Sequence, residues 1–324
     1  MIKILKLLLI INLALVPGET LFAEKIKQAG IATAHPLATM AGYEILEKGG
    51  NAFDAAVTVS AVLSVVEPYS SGLGGGGFFL LHSTQEGRSV FIDAREKAPM
   101  MADRNMYLDE KGDVLRTASL NGPLASGIPG LPAVLHHVTN NHGSMPLFKL
   151  LEPAIQLARE GFPAYERLIT ALNVAEKSRT LSPKFKAVFM PNGEPPEVGQ
   201  LIKQPELAKT LEILASSGHD GFYDSFFTQT MINEARQDGS IWLVDDFKNY
   251  SVVEREPIKV TFMDAVLTTA PPPSSGGTTI ATILNIISEF DFFEMDISTR
   301  IHLVVESMRR AYRDRAFYLG DPDF

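Results

Sequence analysis

The chain has 324 residues, 45% of them hydrophobic and 21% charged, which supports one large folded domain or two small ones and excludes a disordered tail. Acidic side chains outnumber basic ones by 38 to 29, a net charge of −9, so broad contact with nucleic-acid phosphates or an anionic membrane surface is not expected. There is no cysteine, hence no disulfide framework and no thiolate metal site, and stability must come from packing.

Residues 1–23 read as a secretory signal: Lys3 and Lys6 give the positive start, an apolar run interrupted only by Asn12 follows, and Leu21-Phe22-Ala23 ends in a small residue. That run is too short to span a bilayer, and nothing after Ala23 approaches a span, so residues 24–324 are expected to be periplasmic or secreted. A short strand is predicted at 30–33, a helix at 37–48 closed by Gly49-Gly50, and an Ala- and Val-rich helix at 52–66 stopped by Pro68. Residues 78–82 and 89–93 read as strands joined by a polar turn. From about 146 to 239 the pattern is mostly helical, with Leu150, Ala154, Leu157 and Ala158 on one face, Leu207, Leu211 and Leu214 on another, and a loop at 191–196. Strands at 258–262 and 265–270 lead into Pro271-Pro272-Pro273. Two helices follow Gly277, the second carrying Ile301, Val304, Val305, Met308 and Tyr312 as one apolar stripe. The class is mixed α/β (α+β).

Gly72-Leu73-Gly74-Gly75-Gly76-Gly77 matches G-x-G-x-x-G, and Asp93 follows at a spacing that imitates a dinucleotide site. The order of elements is wrong for one, because a helix precedes the glycines and a strand follows, so no helix N-terminus meets a phosphate. The glycines are expected instead to allow close backbone approach or positive φ. The seven histidines show no HExxH spacing, and the adjacent His136 and His137 would face different sides of a helix, so neither a metal site nor a cofactor is expected.

Arg95 lies just past the strand at 89–93, where a side chain can project into a site. Its planar fork suits a bidentate grip on a carboxylate, although from the residues alone a surface charge, as most of the 29 basic residues are, is the more ordinary reading. Asp93-Ala94-Arg95-Glu96-Lys97-Ala98-Pro99 fits the pattern [Asp/Asn]-x-Arg-Glu-x-Ala-Pro at every fixed position. Together with Glu47 to Ala56, Leu73 to Gly77, Ala125 to Gly130 and Pro271 to Gly277, it makes residues 29–324 resemble the large-subunit portion of the γ-glutamyltransferases.

The resemblance implies an N-terminal nucleophile hydrolase, an αββα sandwich of two central sheets flanked by helices, made as a precursor that cuts itself into large and small subunits. It implies a substrate such as glutathione or another γ-glutamyl amide, with Arg95 on the glutamyl α-carboxylate. A threonine at the new N-terminus of the small subunit would attack, using its own α-amine as base and passing the acyl group to water or an amine. That threonine opens a Thr-Thr-His-type motif, and no Thr, Ser or Cys here precedes a His. Thr268-Thr269 and Thr278-Thr279 belong to matched large-subunit segments. The nucleophile is therefore expected beyond Phe324, the chain to be inactive alone, and a face to be left apolar where the small subunit packs. Ser274-Ser275-Gly276-Gly277 is expected to form a proline-stiffened loop near that contact. Two alternatives stand beside this reading: a relative acting on cephalosporin-type or poly-γ-glutamate amides, which Arg95 disfavours, and a non-catalytic remnant that binds a ligand or partner chain.

Overall fold

The computed structural model describes residues 29–179 and 181–324, so the expected signal at 1–23 lies outside the described residues. Residues 30–33 form no strand. Helix α1 (Pro36–Glu47) starts where His35 Nδ1 accepts the Leu37 N–H and Pro36 presets the first turn, and it ends at Gly49, whose φ of +91° closes the helix. Helix α2 (Ala52–Val66) opens on a capping box: Asn51 Oδ1 accepts the N–H groups of Phe53 and Asp54, and the Asp54 carboxylate accepts the Asn51 N–H. Asp54 is fully buried and also accepts from the Ser144 N–H and hydroxyl and the Met145 N–H, which joins the start of α2 to a distant loop. Apolar on nearly all sides, α2 runs through the core.

Strands β1 (Gly77–Ser83) and β2 (Arg88–Ala94) pair antiparallel, from Gly77 opposite Ala94 to Ser83 opposite Arg88. Helices α3 (Leu131–His142), α4 (Leu147–Glu160), α5 (Glu166–Ser178) and α6 (Pro183–Phe189) follow, with a two-residue strand β3 (Phe162–Pro163) pairing β4 (Leu201–Ile202). Beyond them lie α7 (Pro205–Tyr223), kinked at Gly218, α8 (Phe226–Gln237), α9 (Val244–Lys248) and β5 (Val253–Arg255). Strand β5 adds to β2 with Ile92 opposite Glu254, giving the order β1-β2-β5. The central β2 is buried from Val90 to Ala94. Ile45, Val62, Ile92, Val134, Leu150 and Leu211 belong to one core cluster, and Leu150, Ala154 and Ala158 of α4 face α2 and α7 as the spacing predicts.

The chain closes with a ribbon of β6 (Ile258–Phe262) and β7 (Ala265–Thr269), then α10 (Ser275–Ser288) and α11 (Ile297–Tyr318). The stripe on α11 is not covered: Ile301, Val305, Met308 and Tyr312 are 41–57% exposed, and only Ser307 and Ala311 of this helix are buried. No helix among the described residues is long and apolar enough to cross a membrane.

Buried His35 packs edge-on against Tyr165, and burial holds its pKa below the ordinary 6.5 despite the nearby Glu67. Burial also lowers His136, with His219 adding to the effect. Both histidines take up protons more readily in the unfolded chain, so their stabilisation is complete above about pH 6.5 and is lost as the pH falls below it. The melting temperature should fall between pH 7 and 5. His35→Asn, which keeps a capping acceptor but does not titrate, should make that fall shallower; an equally steep fall would assign it to other groups.

Candidate functional site

The first residue after β2 is Arg95, and its backbone is fixed on both sides. Its N–H donates to Asp93 Oδ1 at 3.1 Å, and its carbonyl accepts from the Tyr250 hydroxyl at 2.9 Å. Tyr250 is buried and stacks on Tyr223. Burial, then the charges of Asp93 and Glu96, push its phenol above the ordinary value, so it remains a donor at any physiological pH. The next turn of chain is held as well, since Lys97 and Ile128 exchange backbone hydrogen bonds of 3.2 and 2.8 Å.

Two glycines press on the same spot. A Cβ on Gly76 or on Gly130 would collide with the Ala94 carbonyl oxygen, and at Gly130 also with the Tyr250 hydroxyl. Gly75 in turn accepts the N–H groups of Gly130 and Leu131, both at 2.9 Å. None of the glycines between 72 and 77 has positive φ, so of the two expected uses of this run only close approach is realised, at Gly76.

The other oxygen of Asp93 accepts Nε of Arg255 at 3.0 Å, and Arg255 makes a bidentate pair with Asp323 at 3.0 and 2.6 Å. With Asp93 only 7% exposed, the pair compensates a charge that would be costly alone. Asp323 chiefly, with Asp93 adding, holds the Arg255 guanidinium above its ordinary value.

Arg95 differs. Its side chain is exposed, with the guanidinium carbon 6.0 Å above the Phe78 ring, and no carboxylate among the described residues pairs with it. It opens into a cleft of about 630 Å³, lined also by Glu96, Lys97, Arg255, Ser274, Ser275 and Arg315. The proline-stiffened loop expected at 274–277 stops at Ser274. Ser274 accepts the Gly276 N–H as a helix cap, Ser275 opens α10, and the Ser275 hydroxyl accepts Nε of Arg315 at 2.9 Å. A free planar fork beside fixed carboxylates and hydroxyls suits a small amino acid carrying both charges. Sequence reasoning singled out Arg95, touched Gly130 only as part of the Ala125 to Gly130 match, and did not reach Tyr250, Arg255 or Arg315. Tyr250 meets Arg95 across 155 residues, and no local pattern reports such a contact.

A family model for gamma-glutamyltranspeptidase matches residues 38–324. The chain belongs to the γ-glutamyltranspeptidase family. Among curated relatives, the glutathione hydrolase proenzyme of Escherichia coli is 39% identical over 92% of this chain and 52% of its own length. The capsule biosynthesis protein CapD proenzyme of Bacillus anthracis is 35% identical over 91% of this chain and 50% of its own. The chain spans about half the length of the curated relatives it matches. The crystal structure of Helicobacter pylori gamma-glutamyltranspeptidase superimposes with a TM-score of 0.88 at 36% identity, covering 92% of this chain and 87% of that one. The mixed α/β architecture is thus that of the γ-glutamyltranspeptidases, which are N-terminal nucleophile hydrolases.

The glycine contacts generate a contrast. Gly130→Ala should destabilise by about 1–3 kcal/mol through overpacking against Ala94 and Tyr250. Gly74→Ala, where an added Cβ meets nothing within 4 Å, should be close to neutral in the same thermal melts. Equal effects would mean that Gly130 does not confine the Arg95 backbone.

Proposed function

We propose that this chain supplies the glutamyl-binding part of a secreted enzyme that hydrolyses or transfers the γ-glutamyl group of glutathione and related amides. The observation that carries the reading is the Arg95 guanidinium, unpaired among the described residues and presented to the cleft by a backbone fixed at Asp93 and Tyr250. A free α-carboxylate takes two parallel N–H···O bonds from such a fork, which an amide lacking that carboxylate does not offer. In this reading residues 24–324 are the large-subunit portion, exported by the signal at 1–23. The partner is the small subunit of the same precursor, whose N-terminal threonine attacks the γ-carbonyl. Its α-amine takes the hydroxyl proton and returns it to the leaving amine, after which water or an acceptor amine releases the glutamyl group. The chemistry asks for no cofactor.

Glutamate binding to this chain, followed by calorimetry or NMR, should be lost in Arg95→Ala and only partly restored in Arg95→Lys, since a point charge does not reproduce the fork. With a threonine-bearing small subunit present, Arg95→Ala should lower kcat/KM on the order of several hundred-fold and leave self-cleavage intact, because self-cleavage involves no free glutamate. Near-normal kcat/KM in the alanine variant would make Arg95 a surface charge.

The uncovered stripe of α11 supports the partner half of the reading, because a contiguous exposed apolar face marks an interaction surface. Replacing Ile301 and Val305 by Lys should leave the melting temperature of the chain nearly unchanged while abolishing its association with the small subunit. Retained association in a pull-down would assign the contact to another face.

A further inference from the structure

We propose that His137, His142 and Glu254 form a binding site for a divalent transition-metal ion such as zinc, clipping α3 to β5. One ligand atom from each lies within 4.8 Å of the others. A tetrahedral zinc ion with ligands at about 2.0–2.1 Å needs ligand atoms roughly 3.3 Å apart. The observed separations bracket that value: His137 Nε2 is 2.9 Å and His142 Nε2 is 4.0 Å from Glu254 Oε1. Closing the three ligand atoms onto one ion is the rearrangement the proposal asks for.

A simple ion pair between His137 and Glu254 accounts for two of these residues and fails for the third. His142 Nε2 is buried and has no hydrogen-bond partner, an arrangement that costs stability unless something accepts its lone pair or its proton. A metal ion at the shared Glu254 oxygen supplies that partner. The surroundings orient the set in the manner of outer ligands. Arg88 Nη2 stands 4.0 Å from the other Glu254 oxygen, which leaves Oε1 turned to the imidazoles, and the Asn141 amide lies 3.3 Å from His137 Nδ1. Two imidazoles and one carboxylate favour zinc, nickel or copper over calcium or magnesium, and three protein ligands leave a fourth position open.

The position gives the ion a structural role. Both histidines belong to the second half of α3, whereas Glu254 sits on the edge strand that holds β2, opposite Ile92. None of the three lines the Arg95 cleft. The absence of HExxH spacing excludes only a site built from one helix. Here the carboxylate comes from 117 residues beyond His137.

The untagged chain, stripped with a chelator, should bind about one equivalent of zinc in calorimetry and melt at a higher temperature with zinc than without it. His142→Gln and Glu254→Gln should each weaken binding at least about tenfold. A variant carrying His136→Gln and His219→Gln, at the other facing histidine pair with ring centroids 6.4 Å apart, should bind as the parent does. Should His142→Gln fail to fold, the more exposed Glu254→Gln decides alone. The proposal is overturned if the parent shows no saturable zinc binding, if Glu254→Gln leaves the affinity unchanged, if the His136 and His219 variant loses it, or if magnesium binds equally well.

Discussion

One buried carboxylate holds the candidate site in place. Asp93 gives one oxygen to the Arg95 N–H and the other to Arg255, so a single side chain connects the end of β2, strand β5 and, through Arg255, Asp323 near the last residue. The charge is nearly sealed from water, and a desolvated carboxylate is tolerable only with a cation against it. That requirement brings β5 to the sheet edge with Arg255 opposite Phe91, so β2, buried from Val90 to Ala94, has a neighbour on each edge. The direction in which Arg95 leaves the sheet follows from an electrostatic necessity two residues earlier.

Arg95 and Arg255 line one cleft and are held in different ways. Arg255 is mostly buried and saturated by two carboxylates, and its task is completed inside the chain. Arg95 keeps its fork unpaired among the described residues while its backbone is held. Exposure by itself says little, since most exposed basic residues are solvated charges. A free guanidinium on a restrained backbone is different, because only the side chain's own rotamer freedom, and none of the backbone's, is left to be lost when an anion arrives.

Much of the fold was legible along the chain, and the reasons are local. Helix α2 is bounded as expected because Asn51 caps it and Pro68 stops its continuation, and the β1–β2 hairpin shows in two β-rich runs around a polar turn. Strand β5 gave no signal: three residues, two of them charged, form it only because β2 and Asp93 supply the hydrogen bonds and the counter-charge. Helix α3 escaped notice since it begins at Gly130 without a side-chain cap and ends in a polar run. The stripe on α11 was periodic, but periodicity reports that a face is apolar and not what covers it. At the site, the motif around Arg95 stood out, whereas its supports arrive from far along the chain and leave no spacing to read.

The pair of glycines around the Ala94 carbonyl has a consequence for how relatives of this fold can diverge. Gly76 and Gly130 form a collar of bare backbone, and neither lines the cleft. Position 95 then behaves as a socket: whatever side chain occupies it is presented from the same point and in the same direction. Exchange of that one side chain would change the chemistry offered to the cleft without rebuilding the loop, while the collar itself tolerates no such freedom.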